Sequence, residues 1–175
     1  FFARITPTAN LASNFVAGDT IGAFEIPTDR GSYWALPTIC FEVAYDGLMR
    51  DAVLNPEAGG SQLLVVQTNN ATFGWSAESE QQFAISRLRA IEHGRSVVHV
   101  STVGVSGFIA PDGTVTHKSG LFEPAQAWAK VPVRAERTLS DRLGPWPERI
   151  LVGAFGLLLV AAWGAMGPRP VRRGD

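Results

Sequence analysis

The strongest pattern in the chain is an uncharged run from Ile150 to Gly167, ILVGAFGLLLVAAWGAMG. At about 18 residues it stands near the lower limit for a helix crossing a hydrocarbon core of roughly 30 Å. Glu148 and Arg149 close the run on one side; Pro168, Arg169, Pro170, Arg172 and Arg173 close it on the other. Trp146 and Trp163 stand near its two ends, where amphipathic rings favour a membrane interface. A buried core helix is the alternative, but cores of that size seldom end in an arginine-rich tail. The pattern predicts a transmembrane helix over 146–168 and a cytoplasmic basic tail over 169–175, with everything before Trp146 on the outer face.

Upstream, the pattern alternates between periods of two and of about four. Ile21 to Ile26 reads as a short strand, ended by a turn over Pro27 to Ser32. Tyr33 to Cys40 reads as a second strand. Ala44 to Leu54 reads as a helix with Leu48 and Ala52 on one face, stopped by Asn55-Pro56. Leu63 to Gln67 is a continuous apolar run, as expected of a strand buried on both faces. A longer helix is predicted over Glu78 to His93, with Phe83, Leu88 and Ile91 packing inward. Ser76 or Ser79 serves as its cap and Gly94 as its stop. Ser96 to Val100 is another strand, and Gly107–Ala110 with Thr114–His117 form a hairpin around Pro111-Asp112-Gly113. Strands and helices in this order indicate an α/β layered domain over 1–145.

Composition narrows the reading. The chain has 175 residues, 46% of them hydrophobic and 18% charged, which suits one globular domain carrying an extra apolar segment. The net charge is −1 and the basic residues are scattered, so there is no nucleic-acid footprint. Phe1-Phe2-Ala3-Arg4 has neither an initiator Met nor the features of a signal peptide, as expected of a cut inside a longer protein. The single cysteine, Cys40, can form no intrachain disulfide and no cysteine-based metal cluster. His93, His99 and His117 lack the spacing of a helical metal pair. No metal or cofactor is therefore expected.

A lone cysteine is by default a small buried hydrophobe. The surroundings of Cys40 add a second reading. The apolar strand Ala35 to Ile39 ends at Cys40-Phe41-Glu42, and a helix follows shortly. A side chain at such a strand-to-helix turn is lifted out of the sheet, where backbone N–H groups can receive an oxyanion. A thiol there is a nucleophile once a base and a cation lower its pKa. No nearby histidine is an obvious base, and the residues alone leave both readings open.

Four segments carry a resemblance. Ile39-Cys40-Phe41-Glu42 resembles the nucleophile segment I-C-[YF]-E of the nitrilase superfamily. Gln67 to Gly74 resembles the S-N-D-A-W-F-G segment of apolipoprotein N-acyltransferases, and Gln82 to Arg95 their helix Q-x-x-x-A-R-[LM]-R-A-[IL]-E-x-x-R. Ser106 to Gly113 is similar in outline to their G-x-S-x-x-I-x-P-x-G hairpin. The resemblance runs from about Gly18 to the last helix.

It implies a four-layer α-β-β-α nitrilase-like sandwich, present here in part, on the outer face of the bacterial inner membrane. It also implies a Glu-Lys-Cys triad with Cys40 as nucleophile. The implied reaction moves a fatty acyl group from a phospholipid, through a Cys40 thioester, to the α-amine of a diacylglyceryl-cysteine lipoprotein. The family's glutamate and lysine lie upstream of the cysteine. Residues 1–39 contain no lysine, and Glu25 is too near in sequence, so the chain alone is expected to be inactive. The backbone N–H of Phe41 is expected at the oxyanion and Glu42 in support of the nucleophile, with a solvated turn carboxylate as the alternative for Glu42. Phe41 stands where the family usually has tyrosine. Asn69, Asn70 and Phe73 are expected to line the acyl pocket, or else to cap their loop. Thr72 departs from the family's tryptophan. Arg87, Arg89, Glu92 and Arg95 read as helix-surface and interlayer ion pairing. Two rival readings are a membrane-tethered amidase of the same fold and a non-enzymatic scaffold.

Overall fold

The computed structural model describes residues 18–55 and 60–165. Six strands form a single sheet in chain order: β1 (Phe24–Thr28), β2 (Gly31–Ile39), β3 (Leu63–Thr68), β4 (Ser96–Ser101), β5 (Gly107–Ile109) and β6 (Val115–Thr116). β2, β3 and β4 run parallel, and β1, β5 and β6 join antiparallel at the edges. The parallel strands are linked by helices α1 (Asp46–Leu54) and α2 (Glu78–His93), the connection that parallel neighbours require. The first strand runs on through the expected turn to Thr28, leaving Asp29 and Arg30 to turn the chain. Among the described residues β1 is an edge strand, which is where a proline such as Pro27, lacking an N–H, is tolerated.

The α/β layering read from the pattern is what the chain forms. Leu36, Leu64, Val97 and Ile109 stand in one register row across β2 to β5. With Val66 they pack against Met49 and Val53 of α1 and Phe83 and Ala90 of α2, all in one core. Both helices therefore cover the same face, giving a sheet layer and a helix layer of the implied four. On the opposite face the row Pro37, Val65, Val98 and Phe108 is half-buried, and Ile39, Gln67 and Val100 are exposed. Burial of Leu63 to Gln67 on both faces is thus only partly met.

α1 starts later than expected because a 3-10 turn over Cys40–Ala44 precedes it. Its inward residues are Met49, Ala52 and Val53, and Leu48 is exposed. α2 has its expected bounds and ends on Gly94 in the left-handed conformation, φ 61°. Its start is looser than expected: Ala77 is the cap residue, and Ser76 Oγ accepts from the Glu78 N–H at 3.3 Å. Leu88 and Ile91 point outward, while Ser79, Gln82, Phe83, Ser86, Arg89, Ala90 and His93 face in.

Beyond β6 the chain runs without regular structure to a short helix α3 (Leu139–Leu143). Thr138 caps α3 by accepting from the Asp141 N–H at 3.0 Å. The C-terminal end of α2 fastens this stretch. Buried His93 and Asp141 share a 2.7 Å hydrogen bond, and Thr138 Oγ1 donates to the Glu92 carbonyl at 2.5 Å. Arg95 is 1% exposed and donates to the carbonyls of Ser61, Ala135 and Glu136. It is therefore not a surface ion-pair residue. α4 (Trp146–Ala165) follows, long and apolar enough to cross a membrane, with none of it buried against the domain. The remainder of the expected span and the tail over 169–175 lie outside the described residues.

Candidate active site

Parallel pairing decides where the site is. Ile39, Gln67 and Val100 share one register row at the C-terminal ends of β2, β3 and β4. Whatever follows each strand must therefore gather at one edge: Cys40 after β2, Asn69 and Asn70 after β3, Thr102 after β4. Crevices at such edges are where open α/β sheets bind ligands.

Cys40 has φ 54°, left-handed and unusual for a residue with a Cβ. Such a conformation costs about 1–3 kcal/mol and persists only where the surroundings over-determine it. Several contacts hold this turn. The Glu42 carboxylate accepts from the Ile39 N–H at 2.7 Å, and the Tyr45 N–H donates to the Glu42 carbonyl at 3.0 Å. Val43 is wholly buried in the core between them. Cys40 itself is half-buried, and Phe41 is exposed with its ring edge-on to Tyr45 at 6.3 Å.

The loop after β3 is tied from beneath. Asn70 is buried, accepts from Thr68 Oγ1 at 2.7 Å and donates to Ser79 Oγ at 3.0 Å. Ser79 Oγ also accepts from the Val105 N–H at 2.9 Å, which draws the chain after β4 onto the same knot. Gly104 is required there, because a Cβ would lie 2.4 Å from Ser79 Oγ and 2.5 Å from Asn70 Nδ2. Asn69 faces outward, its Oδ1 accepting from Thr102 Oγ1 at 2.8 Å and from the Ala71 N–H at 3.1 Å. Phe73 is half-buried, and Trp75 stacks on Phe122 with ring centres 4.7 Å apart. The structure thus brings Cys40, Phe41, Glu42, Asn69 and Phe73 to the same sheet edge, with Asn70 turned inward as the loop's anchor.

Arg89 belongs to this neighbourhood too: the interlayer ion pairing expected of it is met, but by a buried guanidinium rather than one on the helix surface. It is 6% exposed; its Nε donates to the Val43 carbonyl at 2.8 Å and its Nη2 to the Ala44 carbonyl at 3.0 Å. Asp46 and Glu92 pair with the same guanidinium. Burial opposes its charge, and the bonds to Asp46 and Glu92 outweigh that, so it is held above its ordinary pKa. On the core side of the sheet, His99 is 1% exposed, bonded to Ser86 at 2.8 Å and edge-on to Phe83. Burial pushes its pKa down to about 4, so it is neutral at physiological pH. Among the described residues no group of three His, Cys, Asp or Glu side chains is placed to hold a metal.

A parallel-centred sheet with a left-handed cysteine at the strand-to-helix turn defines an α/β domain whose candidate site lies at the strands' C-terminal edge. No family model matches the sequence. Curated relatives do. The apolipoprotein N-acyltransferase of Mycolicibacterium smegmatis is 37% identical over 179 residues, covering 99% of this chain and 28% of the relative. That of Shewanella oneidensis is 33% identical, covering 89% of the chain and 29% of the relative. Solved structures share less: the Nesterenkonia amidase has a TM-score of 0.44 and 20% identity over 63% of the chain and 41% of the amidase. A Helicobacter pylori carbon-nitrogen hydrolase has a TM-score of 0.48 and 17% identity over 63% of the chain and 43% of the hydrolase. By sequence the chain belongs to the apolipoprotein N-acyltransferase family. It spans under a third of the length of the relatives it matches.

Proposed function

We propose that this chain is the nucleophile-bearing part of an enzyme that N-acylates lipoproteins at a bacterial plasma membrane. The observation that carries the proposal is Cys40, the chain's one thiol, held at a left-handed strand-to-helix turn where three parallel strands end. In this reading the Cys40 thiolate attacks an ester carbonyl of a phospholipid. The C–O bond breaks, a lysophospholipid leaves with the proton, and the acyl group remains as a thioester. The α-amine of a diacylglyceryl-cysteine then attacks the thioester, forming an amide and regenerating the thiol. Dividing ester aminolysis through a sulfur nucleophile lowers each barrier. The Phe41 N–H faces the oxyanion, Glu42 holds the turn, and Asn69 and Phe73, on the loop anchored by Asn70, line the acyl pocket. α4 anchors the domain beside its lipid donor and lipidated acceptor.

The general base and the lysine of the triad are assigned to sequence upstream of this chain, so the 175 residues alone are expected to be inactive. Extending the chain at its N-terminus to the relatives' length, in phospholipid vesicles with a diacylglyceryl-cysteine peptide, tests the reading. The expected product is a peptide heavier by one acyl group, with an acyl mass on the enzyme that Cys40→Ala and Cys40→Ser abolish. An acyl mass persisting on Cys40→Ala, or hydrolysis of soluble amides without transfer to the peptide, would overturn it.

A further inference from the structure

We infer that Arg89 is a positioning residue for Cys40, acting through the backbone of the nucleophile turn; the inference deepens the proposed function and rests on Cys40 being the nucleophile. The turn has two ends, and each is held by a charged side chain. At the start, the Glu42 carboxylate takes the Ile39 N–H. At the finish, the Arg89 guanidinium takes the carbonyls of Val43 and Ala44, 2.8 and 3.0 Å away, and reaches Asp46 at the first residue of α1. Those carbonyls close a 3-10 segment of five residues, Cys40–Ala44, too short to satisfy its own last acceptors. An acceptor left without a partner there would favour unwinding of the turn, and the left-handed Cys40 would relax toward an ordinary conformation.

The fork is built for this task. Its nitrogens diverge in a plane, so one side chain bridges two successive carbonyls and a carboxylate, which a lysine ammonium on a flexible stem cannot do in one geometry. Glu92, one turn further along α2, fixes the guanidinium from the other side. α2 is itself tied into the sheet through Phe83 and His99, so the turn is referenced to the rigid part of the domain. Asp46 and Glu92 balance the charge of Arg89, which lets a buried cation stay next to the nucleophile turn.

Two measurements on Arg89→Lys and Arg89→Met test this. In the detergent-solubilised protein, hydrogen exchange by mass spectrometry is compared between a peptide over 41–46 and peptides over β3 and β4. A clamp acting on the turn predicts exchange faster by about tenfold or more at 41–46, with the strands unchanged, in Arg89→Lys. In the N-terminally extended enzyme, Arg89→Lys is expected to lower kcat of acyl transfer by about tenfold or more, with KM within about twofold. Unchanged exchange at 41–46, or exchange rising equally in turn and strands, overturns the inference, as does wild-type kcat in Arg89→Lys. If Arg89→Met does not fold, the lysine variant still decides, since it keeps the buried charge. The exchange arm needs no acyl transfer, so failure of the proposed reaction leaves the clamp separately tested.

Discussion

Glu42 is a solvent-exposed carboxylate, two residues after the thiol, that spends one oxygen on its own turn's backbone. A hydrogen bond to an ionised group is typically worth about 1.5–3 kcal/mol, or roughly tenfold to a hundredfold in rate at about 1.4 kcal/mol per decade. Glu42→Gln in the extended enzyme is therefore expected to fold as the wild type does and to lower single-turnover acylation within that range. Wild-type acylation would leave Glu42 as an ordinary turn carboxylate. His99 makes a prediction of a different kind. Its folded pKa of about 4 lies below the 6.5 of the unfolded chain, so the unfolded state takes up a proton first as pH falls. The contribution is complete above pH 6.5 and is lost between there and about pH 4, up to about 3 kcal/mol at about 1.4 kcal/mol per pH unit. Thermal unfolding across that window should show a smaller fall in Tm for His99→Gln than for the wild type.

At the scale of elements, α2 is the most instructive. Its inward stripe has helical spacing, but Ser79, Gln82, Ser86, Arg89 and His93 occupy much of it alongside Phe83 and Ala90. A reading that follows apolar residues selects Leu88 and Ile91, which are 63% and 48% exposed. The polar stripe faces inward because its partners are the carbonyls of the Cys40 turn, the Asn70 loop, His99 and Asp141. Phe83→Ala is thus expected to cost about 3–5 kcal/mol by emptying a core position, whereas Leu88→Ala should stay within about 0.5 kcal/mol. Chemical denaturation of the two variants measures the difference. The strand ends are equally constrained: Gly104→Ala should destabilise by about 1–3 kcal/mol, since the added methyl must displace Ser79, Asn70 or Ser101. A wild-type midpoint for Gly104→Ala would mean that the loop after β4 has room to move.

On the scale of the whole molecule, the α/β domain is joined to an apolar helix with no face buried against it. The lead-in to that helix is fastened to α2 through His93–Asp141 and to the link between α2 and β4 through Arg95, which ties the domain's core to the approach to the apolar helix. The arginine excess after the span predicts a cytoplasmic C-terminus and an external Cys40. A cysteine introduced at Asp175 in a Cys40→Ala background should resist a membrane-impermeant thiol reagent on intact cells and react after permeabilisation. Strong labelling of intact cells would reverse the orientation.

Local chemistry was enough to read most of the elements. Alternating and continuous apolar runs marked the strands, Gly94 and Asn55 marked helix ends, and the uncharged run marked the last helix, because each is a short-range property of neighbouring residues. The strand-to-helix turn at Cys40 was legible in the sequence, whereas the roles given to Cys40 and Glu42 came from the resemblance of Ile39 to Glu42 to a nucleophile segment. Arg89, Arg95 and the inward turn of Asn70 were not legible, because a polar side chain's burial depends on which distant carbonyl or hydroxyl the fold places against it. Apart from Glu92 on its own helix, the partners of Arg89 lie more than forty residues back along the chain, at Val43, Ala44 and Asp46. Only the parallel pairing of β2, β3 and β4, with both helices laid on one face, brings α2 over the Cys40 turn. The sequence by itself determined which residue carries the thiol and what kind of turn holds it; tertiary structure decided which buried charge fixes that turn, since long-range packing sets where α2 lies.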